Sequence, residues 1–149
     1  MNHQEILKKL PYGKDFLFVD ELLDVNENGV VGRYTYKENL YFYDSHFKNS
    51  PVTPAVILTE TLAQIGLVCL GLYLLKDDLD MQKASLAMTS SSIDFLKPVY
   101  PGDKVKVISE KIYFRFNKLS CRVKMEDETG NIICKGTISG MLISNLNEQ

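Results

Sequence analysis

The chain carries two histidines, His3 and His46, and His46 is the one with chemistry around it. It stands in Tyr43-Asp44-Ser45-His46-Phe47, just ahead of Pro51-Val52-Thr53-Pro54, where the chain turns into a long apolar stretch whose only charge is Glu60. A lone histidine is ordinarily structural or merely exposed, but Glu60 changes the weighing. A carboxylate in the second turn of an apolar helix is either paired, or buried and partly protonated, because an unpaired buried charge is expensive. Paired, it is the partner of a Lys or Arg on another element; desolvated, it is an acid able to release a proton near neutral pH. Gln64, one turn on, shares its helix face and either orients Glu60 or satisfies a backbone group. The helix start at Ala55 and Val56 offers free N–H groups and a positive dipole end to a carbonyl oxygen gaining charge, as every helix start does. A histidine base, a carboxylic acid and an oxyanion-binding helix end together suit proton abstraction beside a carbonyl.

The elements that must hold these groups are legible from the same pattern. Pro54 to Leu75 is a run of twenty-two residues that reads as one long helix, about 54–76, with Thr53 as N-cap, Pro54 at the first helical position and Asp77-Asp78 after its end. A membrane span is rejected: Thr59, Glu60, Thr61 and Gln64 interrupt its first half, the unbroken part is too short, and no Lys/Arg asymmetry flanks it. A helix apolar on nearly all sides is then a buried one, wrapped by the rest of the chain. Strands are expected at 16–25 and 30–36, joined by an Asn-Gly hairpin signal, and at 85–99, 105–116, 119–125 and 132–143, with turns at Pro101-Gly102-Asp103, Asn117-Lys118 and Thr129-Gly130-Asn131. Leu119, Cys121, Val123 and Met125 alternate with polar residues, the period of a sheet with one buried face. A short amphipathic helix at 3–10 precedes them, and Asn145 to Gln149 read as a frayed tail. The expected architecture is α+β, one domain over 1–149, an antiparallel sheet wrapped around one central helix.

Composition removes several function classes. Of 149 residues, 45% are hydrophobic and 24% charged, which excludes a disordered chain. Seventeen Lys plus Arg against nineteen Asp plus Glu leave a net charge of −2, so the overall field attracts neither nucleic acid nor an anionic membrane. Cys69, Cys121 and Cys134 are odd in number and set among apolar residues, which speaks for core packing and against a disulfide framework or a zinc site. No secretion signal opens the sequence, and the expected location is the cytoplasm.

The stretch from His46 to Gln64 resembles the signature of the 3-hydroxyacyl-(acyl-carrier-protein) dehydratases of the hotdog fold: His-Phe-Pro-Gly-x-Pro-Val-x-Pro-Gly-Val-Leu, closing on Glu-Ala-x-Ala-Gln. The spacing from His46 to Glu60 matches without a gap. The likeness extends upstream through Leu10-Pro11 and Phe16-Leu17-Phe18-Val19-Asp20, and downstream through Phe95-Leu96-Lys97-Pro98-Val99-Tyr100-Pro101-Gly102-Asp103. It implies a helix inside a curled sheet, two chains per dimer, and active sites at the dimer interface. His46 would be the base that takes the C2 proton of a 3-hydroxyacyl thioester, and Glu60 of the partner chain would protonate the departing hydroxyl to give a trans-2-enoyl thioester. Gln64 would support the acid, Ala55 and Val56 would supply the oxyanion amides, and Phe47, Pro51, Val52 and Pro54 would line the substrate. The resemblance implies no metal or redox cofactor, only the phosphopantetheine arm of an acyl carrier protein or CoA. The chain departs from the pattern at Ser45, Lys48, Asn49 and Ala55, and in the weaker stretch Tyr12-Gly13-Lys14-Asp15. These departures suit a specialised branch, for instance in aryl-polyene or polyketide-type synthesis.

Two other readings stay open. Hotdog proteins include acyl thioesterases, and Asp44 lies two residues from His46; from another class, a non-catalytic hotdog would bind acyl thioesters or complete a heterodimer. Docking of an acidic carrier calls for a local basic surface, with Lys97, Arg115, Arg122 and Lys124 as candidates that an ordinary solvated sheet face would also produce. Tyr113, Phe114 and Phe116 are candidates for an acyl tunnel or for plain core.

Overall fold

The computed structural model describes residues 1–78 and 84–144, so the tail expected at 145–149 lies outside them. Among the described residues one sheet holds six strands: β1 (Glu21–Asn26), β2 (Gly29–Thr35), β3 (Ala84–Phe95), β4 (Lys104–Arg115), β5 (Lys118–Glu126) and β6 (Ile132–Ser144). They run in the order β1-β2-β4-β5-β6-β3, every pair antiparallel. A short helix, α1 (His3–Lys8), opens the chain, capped by the Asn2 side chain accepting from the Glu5 amide at 2.8 Å. The central helix, α2 (Ala55–Leu74), fills the concave face of the sheet. It has the length and composition of a membrane span, yet 72% of its most apolar window is buried inside the protein, which makes it the core.

On β5, Leu119, Cys121, Val123 and Met125 are buried as expected and Arg122 is exposed on the other face, but Ser120, expected there too, is buried and accepts from the Ser139 hydroxyl at 2.9 Å. Val105 and Val107 of β4 and Cys134 and Ile138 of β6 close on the same core. The cysteines are free and buried, and burial pushes all three thiols up, Cys121 to about 11 and Cys69 and Cys134 to about 12, so they pack as small apolar groups. Between β3 and β6 one position leaves no room for a side chain. A Cβ on Gly136 would overlap the Ser92 carbonyl oxygen of the neighbouring strand, so only glycine permits that approach.

Several expected boundaries move, each for a local reason. The strand expected at 16–25 begins only at Glu21, because Lys14–Phe16 is a 3₁₀ turn and the Phe16 carbonyl and Phe18 amide bond to the Gln64 side chain instead of a neighbouring strand. The strand expected at 85–99 stops at Phe95, after which the Leu96 and Lys97 amides both turn to the Ile133 carbonyl, at 2.8 and 3.1 Å. The turn expected at Asn117-Lys118 falls on Phe116 and Asn117, whose φ values of 51° and 61° give the left-handed pair of a tight hairpin. Thr53 does not cap α2. Pro54 takes the N-cap position, its carbonyl accepting from the Ile57 and Leu58 amides, and no side chain caps the helix.

Nor is the helix uniformly α. It is α-helical over Ala55–Ala63 and Leu70–Leu74 and π-helical over Gln64–Cys69. Within the wider turn the Ser109 hydroxyl donates to the Gly66 carbonyl at 2.8 Å, and a Cβ on Gly66 would come within 2.9 Å of Val123. A sheet residue thus takes up a carbonyl inside the altered helical ladder, the kind of outside partner that accompanies such bulges.

The close approach at Gly136 gives a stability test. Gly136→Ala is expected to lower unfolding free energy by about 1–3 kcal/mol, as overpacking does, while Gly13→Ala, with nothing within 4 Å of the new methyl, shifts it by less than about 0.5 kcal/mol. Urea midpoints check this, and equal midpoints for the two variants would contradict it.

Candidate active site

His46 lies in a turn-rich segment between β2 and α2, pinned by backbone bonds on both sides. Its amide donates to the Phe42 carbonyl at 3.0 Å and its own carbonyl accepts from the Val52 amide at 2.9 Å. Phe47 and Ser50 exchange two backbone bonds, at 3.0 and 3.1 Å, closing a tight turn in which Asn49 has φ of 60°. Asparagine is among the few non-glycine residues at ease there, so Asn49 meets the same backbone demand as the glycine of the resembling pattern. The His46–Phe47 peptide is cis, and the two rings stack with centroids 4.1 Å apart.

The imidazole itself is held by one bond that decides its chemistry. Nδ1 lies 2.9 Å from the Val52 carbonyl oxygen. A carbonyl only accepts, so Nδ1 carries a proton, and in the neutral ring the lone pair then falls on Nε2, the tautomer a general base requires. Val52, in the sequence a substrate-lining candidate, thus orients the histidine through its backbone.

Thr53 follows immediately. It is buried; its amide donates to the Val99 carbonyl at 2.8 Å, and its hydroxyl shares a 2.5 Å hydrogen bond with the Tyr43 phenol. Ala55 and Val56, the first residues of α2, are exposed, Val56 by 75%. With no side-chain cap, this helix end presents amides and a positive dipole end; Phe47 is also exposed.

Glu60 is half-buried on the second turn and is held by Gln64, whose Nε2 donates to Glu60 Oε2 at 3.0 Å. Gln64 has no exposed surface, and its amide is used fully: Nε2 also donates to the Phe16 carbonyl at 2.9 Å, and Oε1 accepts from the Phe18 amide at 2.8 Å. Both alternatives read from the sequence are therefore realised at once, since Gln64 orients Glu60 and satisfies backbone. Burial pushes the Glu60 carboxyl above its ordinary value near 4.5, and the Gln64 bond pulls part of the way back. No ion pair to a lysine or arginine balances it among the described residues. Within one chain His46 and Glu60 share no hydrogen bond.

The neighbour that sequence reasoning missed is Tyr12. It is half-buried, its ring packs 6.5 Å from Phe16, and burial followed by the negative field of Glu60 push its phenol upward. In the sequence it fell in the weakly matching stretch, so only its position between Pro11 and Gly13 marked it.

The remaining candidates divide. Asp44 and Ser45 are exposed turn residues, and Pro51 is exposed beside a half-buried Pro54. Phe114 packs against the core, Tyr113 lies under the Arg115 guanidinium at 4.5 Å, and Phe116 is 90% exposed at its turn. Lys97 pairs with Asp127, Arg122 with Glu110 at 3.6 Å and Lys124 with Glu126 at 3.4 Å. Arg122 and Lys124 share an outer-face hollow with Lys135, Asp94 and Glu110, while Lys97 and Arg115 stand elsewhere.

This fold, an antiparallel sheet around one central helix, is that of a hotdog protein. The FabA-like domain model matches residues 10–135, and the chain belongs to that family. It is 34% identical over 116 residues to the 3-hydroxyacyl-[acyl-carrier-protein] dehydratase FabZ of Geotalea uraniireducens, covering 77% of this chain and 79% of that protein. With the enzyme of the same name from Sinorhizobium medicae it shares 30% identity over 145 residues, 95% of this chain and 89% of that one. Among solved structures, the dehydratase heterocomplex ApeI:P from Xenorhabdus doucetiae superposes with a TM-score of 0.75 over 96% of this chain and 93% of that one, at 13% identity, a likeness of fold.

The raised Glu60 carboxyl has a measurable consequence. Between the unfolded value near 4.5 and the higher folded value, the folded chain keeps a proton that the unfolded chain releases, so this group makes stability fall as pH rises through that window. Glu60→Gln lacks the effect. Its stability relative to wild type is expected to improve from pH 4.5 to pH 7.5 in urea titrations, and a difference independent of pH would contradict the desolvated carboxyl.

Proposed function

We propose that the chain dehydrates 3-hydroxyacyl thioesters, with His46 as general base and Glu60 as general acid. The observation that carries the reading is the imidazole locked by the Val52 carbonyl with Nε2 free, in a chain of this family that also holds a desolvated carboxyl at Glu60. His46 Nε2 takes the C2 proton, and negative charge moves onto the thioester oxygen, which the uncapped helix start at Ala55 and Val56 receives. Glu60 gives its proton to the C3 hydroxyl, the C–O bond breaks, water leaves, and the C2=C3 double bond forms. The proton then returns from His46 to Glu60 through solvent, closing the cycle. Phe47, Pro51, Val52 and Pro54 form the surroundings of the acyl chain. The reaction is proton transfer and elimination, so the reading assigns no metal or redox cofactor, only the phosphopantetheine arm of the substrate.

Two copies assemble in this reading, each site combining His46 of one with Glu60 of the other. Support comes from the lack of a hydrogen bond between these two side chains within one chain and from β3, an edge strand whose residues are mostly exposed, with Met88 at 45% and Phe95 at 45%. A long exposed edge invites pairing with another chain. The carrier of the acyl group is an acyl carrier protein, as the names of the relatives suggest, in fatty acid or polyketide-type synthesis in the cytoplasm.

A panel of 3-hydroxyacyl thioesters, on carrier protein and on CoA, tests the reading by following enoyl product and free thiol separately. Wild type is expected to form enoyl product without thiol release, and His46→Ala and Glu60→Gln each to lose about 10²–10⁴-fold in kcat, the usual worth of a general acid or base. Free thiol without enoyl product would make the chain a thioesterase; silence on every substrate would leave a binding subunit.

A further inference from the structure

The segment that carries His46 is closed at its ends by two hydroxyls. Tyr43 and Thr53 are each 4% exposed, and their oxygens lie 2.5 Å apart. Everything between them, from Asp44 to Val52, is the loop that presents the imidazole. We propose that Tyr43 is a positioning residue for the reaction: by engaging the Thr53 hydroxyl it fixes the Val52 carbonyl that orients His46. The inference deepens the dehydratase reading and rests on it for the role of His46.

The geometry leaves little slack. Val52 is bonded directly to Thr53, so a displacement of Thr53 moves the carbonyl that sets the tautomer of His46 at 2.9 Å. Thr53 stands one residue before Pro54, the N-cap, and so just outside the position from which a hydroxyl ordinarily caps the first amides. Its hydroxyl is bonded to Tyr43, and the helix has no side-chain cap. Release from Tyr43 would leave the buried Thr53 hydroxyl without that partner, a cost that holds the pair together. Burial pushes the Tyr43 phenol upward, so it stays a neutral hydroxyl across the working pH range. The edge contact of its ring with Phe42, centroids 4.7 Å apart, and the Thr53 amide bond to Val99 at 2.8 Å are independent of the phenol. Removing the hydroxyl therefore loosens the loop without removing its other anchors.

The test compares Tyr43→Phe, Thr53→Val, Thr53→Ser and the double variant Tyr43→Phe/Thr53→Val, with thermal unfolding to verify that each folds. Tyr43→Phe is expected to lower kcat about five- to twentyfold with KM within about twofold, in line with small misplacements of a reacting group. Imidazole ¹⁵N spectra should show the Nδ1–H tautomer of His46 in wild type and Thr53→Ser, and a tautomer mixture in Tyr43→Phe and Thr53→Val. The double variant should lose no more than the worse single variant, because the two hydroxyls act as one unit. Wild-type kcat with an unchanged ¹⁵N pattern in Tyr43→Phe would overturn the proposal, as would losses that multiply in the double variant. If Tyr43→Phe does not fold, the contrast between Thr53→Val and Thr53→Ser decides the same point. If wild type shows no dehydration, that reading fails, and the ¹⁵N spectra still decide whether the hydroxyl pair orients His46.

Discussion

An acidic side chain within an apolar helix is tolerable only if something fixes it, and the buried amide of Gln64 is what fixes Glu60. One side chain with no exposed surface bonds to Glu60, to the Phe16 carbonyl and to the Phe18 amide. The two bonds to Phe16 and Phe18 tie the central helix to the segment leading into β1, and they explain why that segment is not a strand. They also set the chemistry: burial raises the carboxyl while the amide limits the rise, leaving an acid able to hold and release a proton. The sheet completes the arrangement by enclosing the helix beyond this point, with every residue from Thr61 to Gly71 buried.

The second half of the site is built on a different principle. Glu60 is placed by side-chain bonds inside the core; His46 is placed by backbone bonds within a loop whose side chains are mostly exposed. The left-handed Asn49 and the paired backbone bonds of Phe47 and Ser50 make that loop rigid without burying it. The departures at Ser45, Lys48 and Asn49 fall on exposed turn positions, where they leave the imidazole bond intact. Ala55 retains its amide at the first helical residue, so its added methyl narrows the approach without removing the donor.

Much of this was legible in the sequence because it depends on local period or on spacing. The alternation of Leu119, Cys121, Val123 and Met125 marked the buried face of β5, the apolar run from Pro54 to Leu75 marked the core helix, and the interval from His46 to Glu60 marked the candidate pair. What escaped depends on partners distant in the chain. Thr53 has the composition of a cap but spends its hydroxyl on Tyr43; Phe18 has the composition of a strand but gives its amide to Gln64. The π-helical turn follows no residue pattern within 64–69 alone, since Ser109 on another strand takes the Gly66 carbonyl. Tyr12 was hidden for the same reason: its proximity to Glu60 is created by the fold.

The central claim is that His46 and Glu60 form one dehydrating site from two copies of the chain. The most direct measurement mixes His46→Ala and Glu60→Gln proteins, unfolds and refolds them together, and assays dehydration of a 3-hydroxyacyl thioester. If each site draws one residue from each copy, random two-fold pairs restore about a quarter of wild-type sites, because half the pairs are mixed and each mixed pair has one intact site. A mixture as inactive as its parents, with mixed pairs verified by native mass spectrometry, would contradict the shared site.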